Sequence, residues 1–167
     1  MPVTTDIVRT WRRPRAVMRD LLDQGKREDR AIAYLMIACF MIFVAQWPRL
    51  SRLAAGFELP PGAEVPEMDR LLAYEFMAWL MIWPLFLYIL AALTHVVARL
   101  FGGKGDWYGA RLALFWSMLA TIPLLLLYGL TAGFMGPGNE TNLVGALWVA
   151  AFLIIWVQCL REAESKP

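Results

Sequence analysis

The chain consists of long apolar runs separated by short charged segments. Four runs contain no Asp, Glu, Lys or Arg, and they cover residues 31–48, 76–98, 112–139 and 143–160. Each is near or above the roughly 18–20 residues that a helix needs to cross a bilayer. None alternates with the period of two that a membrane barrel strand requires, and lipid cannot satisfy free backbone groups. The pattern predicts an all-α, polytopic four-helix transmembrane bundle with spans at 31–48, 71–99, 111–134 and 143–160.

Three prolines fall within or beside these runs. Pro84 lies in the middle of the second span and Pro123 in the third, where each is expected to bend its helix. Pro48 follows Trp47 and is expected to end the first helix. Asp69 precedes the second span and is predicted to cap it.

Composition agrees with a membrane protein. Hydrophobic residues make up 59% of the 167 and charged residues 18%, whereas a soluble domain has about 45–50% and 25%. These values exclude a disordered chain, a coiled coil and a small disulfide-stapled scaffold. The first apolar run begins after 30 highly charged residues without a cleavage site, so no removable signal is expected.

The basic residues orient the helices. The segment before the first span carries eight Lys or Arg, the loop between spans two and three carries three, and the C-terminus carries Arg161 and Lys166. The other side has only Arg49, Arg52 and Arg70, in a loop made acidic by Glu58 and its neighbours. By the positive-inside rule we expect a multi-pass inner-membrane protein with both termini in the cytoplasm.

The first 30 residues form a basic cytoplasmic segment of their own. Pro14 suits the start of a helix and Gly25 its end, and Val17, Met18 and Leu21 share one face of it. We expect this amphipathic helix in the membrane interface, with packing against the bundle as the alternative. Its cations then contact anionic headgroups. Those cations are Arg12, Arg13, Arg15 and Arg19.

Residues that carry chemistry are few. His95 is the single histidine, which excludes a histidine metal site and a Ser-His-Asp triad, and it is interpreted as a packed side chain at a helix C-terminus. Gly102-Gly103-Lys104-Gly105 lacks the Ser or Thr of a P-loop and predicts a tight turn, with Lys104 on lipid phosphate. Asp106 is expected to cap the next helix. No catalytic residue, metal, cofactor or nucleic-acid partner is predicted.

Two further features belong to the spans. Glu75 is a carboxylate inside an apolar stretch, interpreted as half of a possible intramembrane ion pair, with a proton or ion pathway as the alternative. Gly129 and Gly133 form a GxxxG that lets a neighbouring backbone approach closely. That neighbour is either another helix of this chain or a partner, including a second copy.

The string Gly102–Trp107, between two long helices that contain Pro84 and Pro123, resembles the YIP1 family of multi-span membrane proteins. The likeness covers residues 30–160, so that 31–160 is a YIP1-like membrane domain followed by a tail at 161–167. The basic N-terminal stretch is similar to that of short bacterial, particularly alphaproteobacterial, members. Eukaryotic members are linked to Rab GTPases, but this chain has neither their long DLYGP-type N-terminus nor their usual five spans, and the Rab role is not carried over.

The absence of charged groups near the midplane of spans one, three and four argues against an enzyme and a pump. We therefore expect a non-catalytic scaffold or accessory subunit that packs against partner membrane proteins or organises the bilayer. The alternative is a small transporter or channel that uses the proline-bent helices two and three.

Overall fold

The part of the chain that the structure describes consists of helices joined by loops and turns. This computed structural model describes residues 3–57, 59–60 and 62–165, and within them it has no strand, which confirms the all-α class. Glu58 and Lys166, counted above, lie outside the described residues. The elements are α1 (Val3–Arg12), α2 (Pro14–Asp23), α3 (Glu28–Ala54), α4 (Met68–Met77), a π-helical turn (Ala78–Ile82), α5 (Trp83–Leu100), α6 (Trp107–Ala120), α7 (Ile122–Phe134) and α8 (Asn139–Ala163).

Three segments of the described chain are long and apolar enough to cross a membrane. They are α3, the continuous segment Met68–Leu100, and α8. The pair α6 and α7 makes a fourth if it is counted as one span, and its two halves are bent by 47°. The break lies at Thr121, just before Pro123, and the Thr121 hydroxyl donates to the carbonyl oxygens of Ser117 and Met118 at 3.0 and 3.1 Å. The predicted bend at Pro123 is confirmed.

The other two prolines act differently. Pro84 follows the π-helical turn, so the second span changes its winding at this point while its helix stays continuous. The expectation that Pro48 ends the first helix is wrong, because α3 continues to Ala54. An interior proline costs about 3 kcal/mol, but Pro48 packs directly on α7 at Gly133, and this contact favours the continued helix.

Helix α6 forms the centre of the bundle. Apart from Arg111, every residue from Tyr108 to Ala120 is buried, and α3, α5 and α8 all pack on this helix. In the most apolar window of α3, 44% of the residues are buried, against 17% in Met68–Leu100 and 11% in α8. Most side chains of the second span and of α8 are therefore at least partly exposed.

The GxxxG glycines hold α7 against α3. A Cβ on Gly129 would overlap the carbonyl oxygen of Ala45, and one on Gly133 would overlap Pro48. Gly129 and Gly133, expected above as contacts to a neighbour or partner, therefore meet a helix of the same chain, which is the intrachain alternative.

The two ends of the bundle are formed by different segments of the chain. The terminal end is where α2 ends, α3 begins and α8 finishes at Ala163. There Arg19 of α2 pairs with Glu162 of α8, and Arg111 of α6 pairs with Glu28 of α3. At the opposite end, α3 and α7 finish side by side and α8 begins. The described chain therefore finishes at the terminal end.

Candidate functional site at the terminal end

Glu164, directly after α8, joins three segments at the terminal end. Its Oε1 lies 2.7 Å from Nδ1 of His95 near the end of α5. Its Oε2 accepts a hydrogen bond from the amide of Gly105 at 3.1 Å. Its main-chain carbonyl accepts one from the amide of Lys104 at 2.9 Å. We call this arrangement of His95, Glu164 and the turn 102–105 the Glu164 clamp.

The glycines of the turn 102–105 allow it to lie close to the end of α8. A Cβ on Gly103 would lie 2.6 Å from Oε2 of Glu164, and one on Gly105 would overlap the carbonyl oxygen of Ala163. Gly102 has a φ of +89°, which favours glycine. The predicted tight turn is thus present, and its small residues make room for the end of α8.

His95 is a packed side chain, with an exposed fraction of 1%. The ring of Trp107 lies against it, with centroids 4.5 Å apart. Its Nε2 has no hydrogen-bond partner among the described residues. Sequence reasoning missed Glu164, which comes 69 positions later; the run of small residues after α5 was the available sign that another segment packs there.

Asp106 caps α6 as predicted. Its Oδ1 accepts a hydrogen bond from the amide of Gly109 at 2.8 Å, and its Oδ2 lies 2.7 Å from Nζ of Lys26. Burial alone would raise the pKa of Asp106, but the hydrogen bonds from Lys26 and Gly109 outweigh it and the pKa is lowered. The same contact raises the pKa of Lys26.

The N-terminal helices dock on the bundle. Val17, Met18 and Leu21 are buried in the core, so the apolar face of α2 is covered by protein and the expectation that it lies in lipid is corrected. Helix α1 is anchored as well, because Nε1 of Trp116 donates to the buried hydroxyl of Thr10 at 3.0 Å. Periodicity shows that a helix has an apolar face but not what covers it.

The basic side chains divide into paired and unpaired groups. Arg19 lies 2.8 Å from Glu162, and hydrogen bonding to this carboxylate raises the pKa of Arg19. Arg12, Arg13, Arg15 and Lys104 are exposed and make no side-chain ion pair with any described residue. The packing of α2 thus leaves Arg12, Arg13, Arg15 and Lys104 without an ion pair in the described chain, and we call these four residues the basic surface.

Glu75 lies away from this end, in α4. Its Oε2 accepts a hydrogen bond from Nε1 of Trp79 at 3.0 Å. Within the described chain it pairs with no cation, and Arg70 is exposed. An ion pair of Glu75 with a partner protein stays a prediction. The described residues also contain no group of three or more metal-ligating side chains.

The chain matches the model of a known protein family. The family model of the Yip1 domain matches residues 8–166, nearly the whole chain, and this confirms the resemblance that the turn and the proline-bearing helices indicated. No curated protein and no solved structure matches the chain.

Proposed function

The chain belongs to the Yip1 domain family, and from this premise we propose that it is a non-catalytic scaffold or accessory subunit that packs against partner membrane proteins or organises the bilayer. The family and the apolar helices make it a multi-pass membrane protein. The proposal places it in the bacterial inner membrane with four spans, α6 and α7 counting as one, and both termini in the cytoplasm.

The observation that carries the proposal is the exposure of the two outer helices. Large apolar side chains project from the second span and from α8, among them Leu85, Ile89 and Ile154 with exposed fractions of 70%, 57% and 59%. With so little of either helix buried inside the fold, both are available to partner helices or lipid. Without a hydrophobic driving force in lipid, close packing decides which of the two covers them.

Purification of the full-length protein in a mild detergent, followed by mass spectrometry, tests the accessory role. We expect a membrane-protein partner at fixed stoichiometry, reduced by the double variant Leu85→Trp/Ile89→Trp, which enlarges the exposed face of α5. Ile37→Trp, at an exposed position of α3, is the matched control and should retain the partner. A homo-oligomer without a partner that conducts a solute in liposomes would refute the proposal.

The basic surface is the proposed contact for anionic headgroups. Each well-placed cation contributes roughly 1 kcal/mol near an anionic surface. We expect the triple variant Arg12→Gln/Arg13→Gln/Arg15→Gln to retain clearly less anionic phospholipid in nanodiscs of mixed composition, as counted by native mass spectrometry. Arg49→Gln/Arg70→Gln, at the opposite end, is the control, and an equal loss in both variants would contradict the assignment.

The transporter alternative is favoured by one observation, the two irregular spans. The π-helical turn precedes Pro84 and the 47° break precedes Pro123, and interrupted helices are common around transported substrates. A flux in proteoliposomes that is lost in Glu75→Gln would favour this alternative over the scaffold.

A further inference from the structure

A cavity of about 310 Å³ lies in the half of the bundle away from the terminal end. The π-helical turn, α3, α6, α7 and α8 all contribute to its wall, so it lies among helices that are apolar and long enough to span the membrane. Asn142 and Val149 of its lining are exposed, which means that the cavity opens on the outside of the bundle. Its volume is at the lower end of the range of about 300–1,000 Å³ for sites that bind small molecules.

The lining changes character with depth. The three amide or phenol groups, those of Gln46, Tyr128 and Asn142, lie toward the opposite end, where α3 and α7 finish and α8 begins. Val149 lies seven residues farther along α8 than Asn142, or roughly 10 Å at the rise of a helix. Deeper in the bundle the lining is apolar.

The apolar part is shielded by protein. Ile42, Met118 and Leu125 line the cavity and have exposed fractions of 2%, 8% and 7%. Lipid that only surrounds the bundle therefore does not reach them. A ligand that contacts these three side chains must enter the cavity.

The indole nitrogen of Trp148 is not accessible from the cavity. Trp148 lines the cavity, but its Nε1 is buried and has no hydrogen-bond partner among the described residues. The cavity thus offers apolar depth and polar groups near its outer end, and the N–H of Trp148 is not one of them.

We propose that this cavity binds an acyl chain of a diacyl phospholipid. The order of the lining, polar near the membrane surface and apolar toward its centre, is the order along such a lipid. The bilayer supplies this ligand at the open side of the cavity. The lining of the cavity contains none of the four cations of the basic surface, and the proposal does not rest on the proposed function.

The experiment uses full-length protein in nanodiscs that contain phosphatidylcholine with a photoreactive diazirine in its acyl chain. After irradiation, we expect adducts on Met118 or Leu125, located by mass spectrometry. Val149→Trp, at the rim, should reduce this labelling at least threefold. Leu147→Trp is the matched control, because Leu147 is exposed on the same helix and does not line the cavity.

The proposal is overturned if only exposed residues are labelled, or if the two tryptophan insertions behave alike.

Discussion

The terminal end and the opposite half of the bundle are held together in different ways. At the terminal end, buried polar groups join residues far apart in the chain, as in the Glu164 clamp, where Glu164 contacts His95 and the turn 102–105. In the opposite half, α7 packs on α3 through Gly129 and Gly133, beside an open cavity. Lipid is as apolar as a leucine side chain, so helices there associate through close backbone approach, whereas near the membrane surface polar contacts determine which segments meet.

The largest effect is expected where the backbones are closest. In Gly129→Ala the added Cβ overlaps the carbonyl oxygen of Ala45, which belongs to the backbone and cannot rotate away. We expect destabilisation at the upper end of the 1–3 kcal/mol or so that overpacking costs. The midpoint of thermal unfolding in detergent measures it.

Ala150→Val is the control for this variant. It adds volume at an exposed position of α8 and should leave the midpoint nearly unchanged. Equal midpoints for Gly129→Ala and the wild type would show that α3 and α7 separate without cost, contrary to the close packing described.

A smaller effect is expected from the Glu164 clamp. Glu164→Ala leaves the Gly105 amide and Nδ1 of His95 without their partner, and each unsatisfied buried group costs about 1–3 kcal/mol unless water reaches it. We expect a lower unfolding midpoint and faster tryptic cleavage after Lys104. Glu164→Gln retains an acceptor and should be intermediate.

Glu64→Ala, in the exposed loop at the opposite end, is the matched control for the clamp. It removes a carboxylate without a buried partner, so neither the midpoint nor cleavage after Lys104 should change. If Glu64→Ala and Glu164→Ala lowered the midpoint equally, the effect would be one of net charge and the clamp would be refuted.

Sequence alone predicted the features that depend on neighbouring residues. The apolar runs located helices that are apolar and long enough to cross a membrane, Pro123 marked the break, and Asp106 was recognised as a cap because its partner is three residues away. Asp69 was wrong as a cap, since α4 begins at Met68 with Glu67 at the capping position, which makes no side-chain bond there. Sequence patterns do not locate the first residue of a helix to within two positions.

Features that depend on distant residues were not predictable. Pro48 was expected to end a helix because its local cost is large, but the opposing contact comes from Gly133 on another helix. Likewise α2 was recognised as amphipathic, yet only the fold shows that the bundle, not lipid, covers Met18. His95 looked isolated because Glu164 is remote in sequence. In each case the contact that determines the structure joins residues that are far apart in the sequence.

The smallest effect concerns the charge of Asp106. Because its pKa is lowered in the folded protein, the carboxylate contributes stability above its ordinary pKa of about 3.9, and this is lost as the pH falls through the lowered value. The pKa of Lys26 is raised, so its contribution is present below its ordinary value of about 10.4 and is lost at higher pH.

Asn still caps a helix, so Asp106→Asn removes the charge and keeps the cap. The difference in unfolding midpoint between wild type and Asp106→Asn should therefore stay constant from about pH 5 to 9 and shrink below about pH 4. Because the pair is partly exposed, solvent screens it and the difference should be small. In a Lys26→Gln background it should shrink further at neutral pH, and a difference that is unchanged in that background would show that the charge acts through another partner than Lys26.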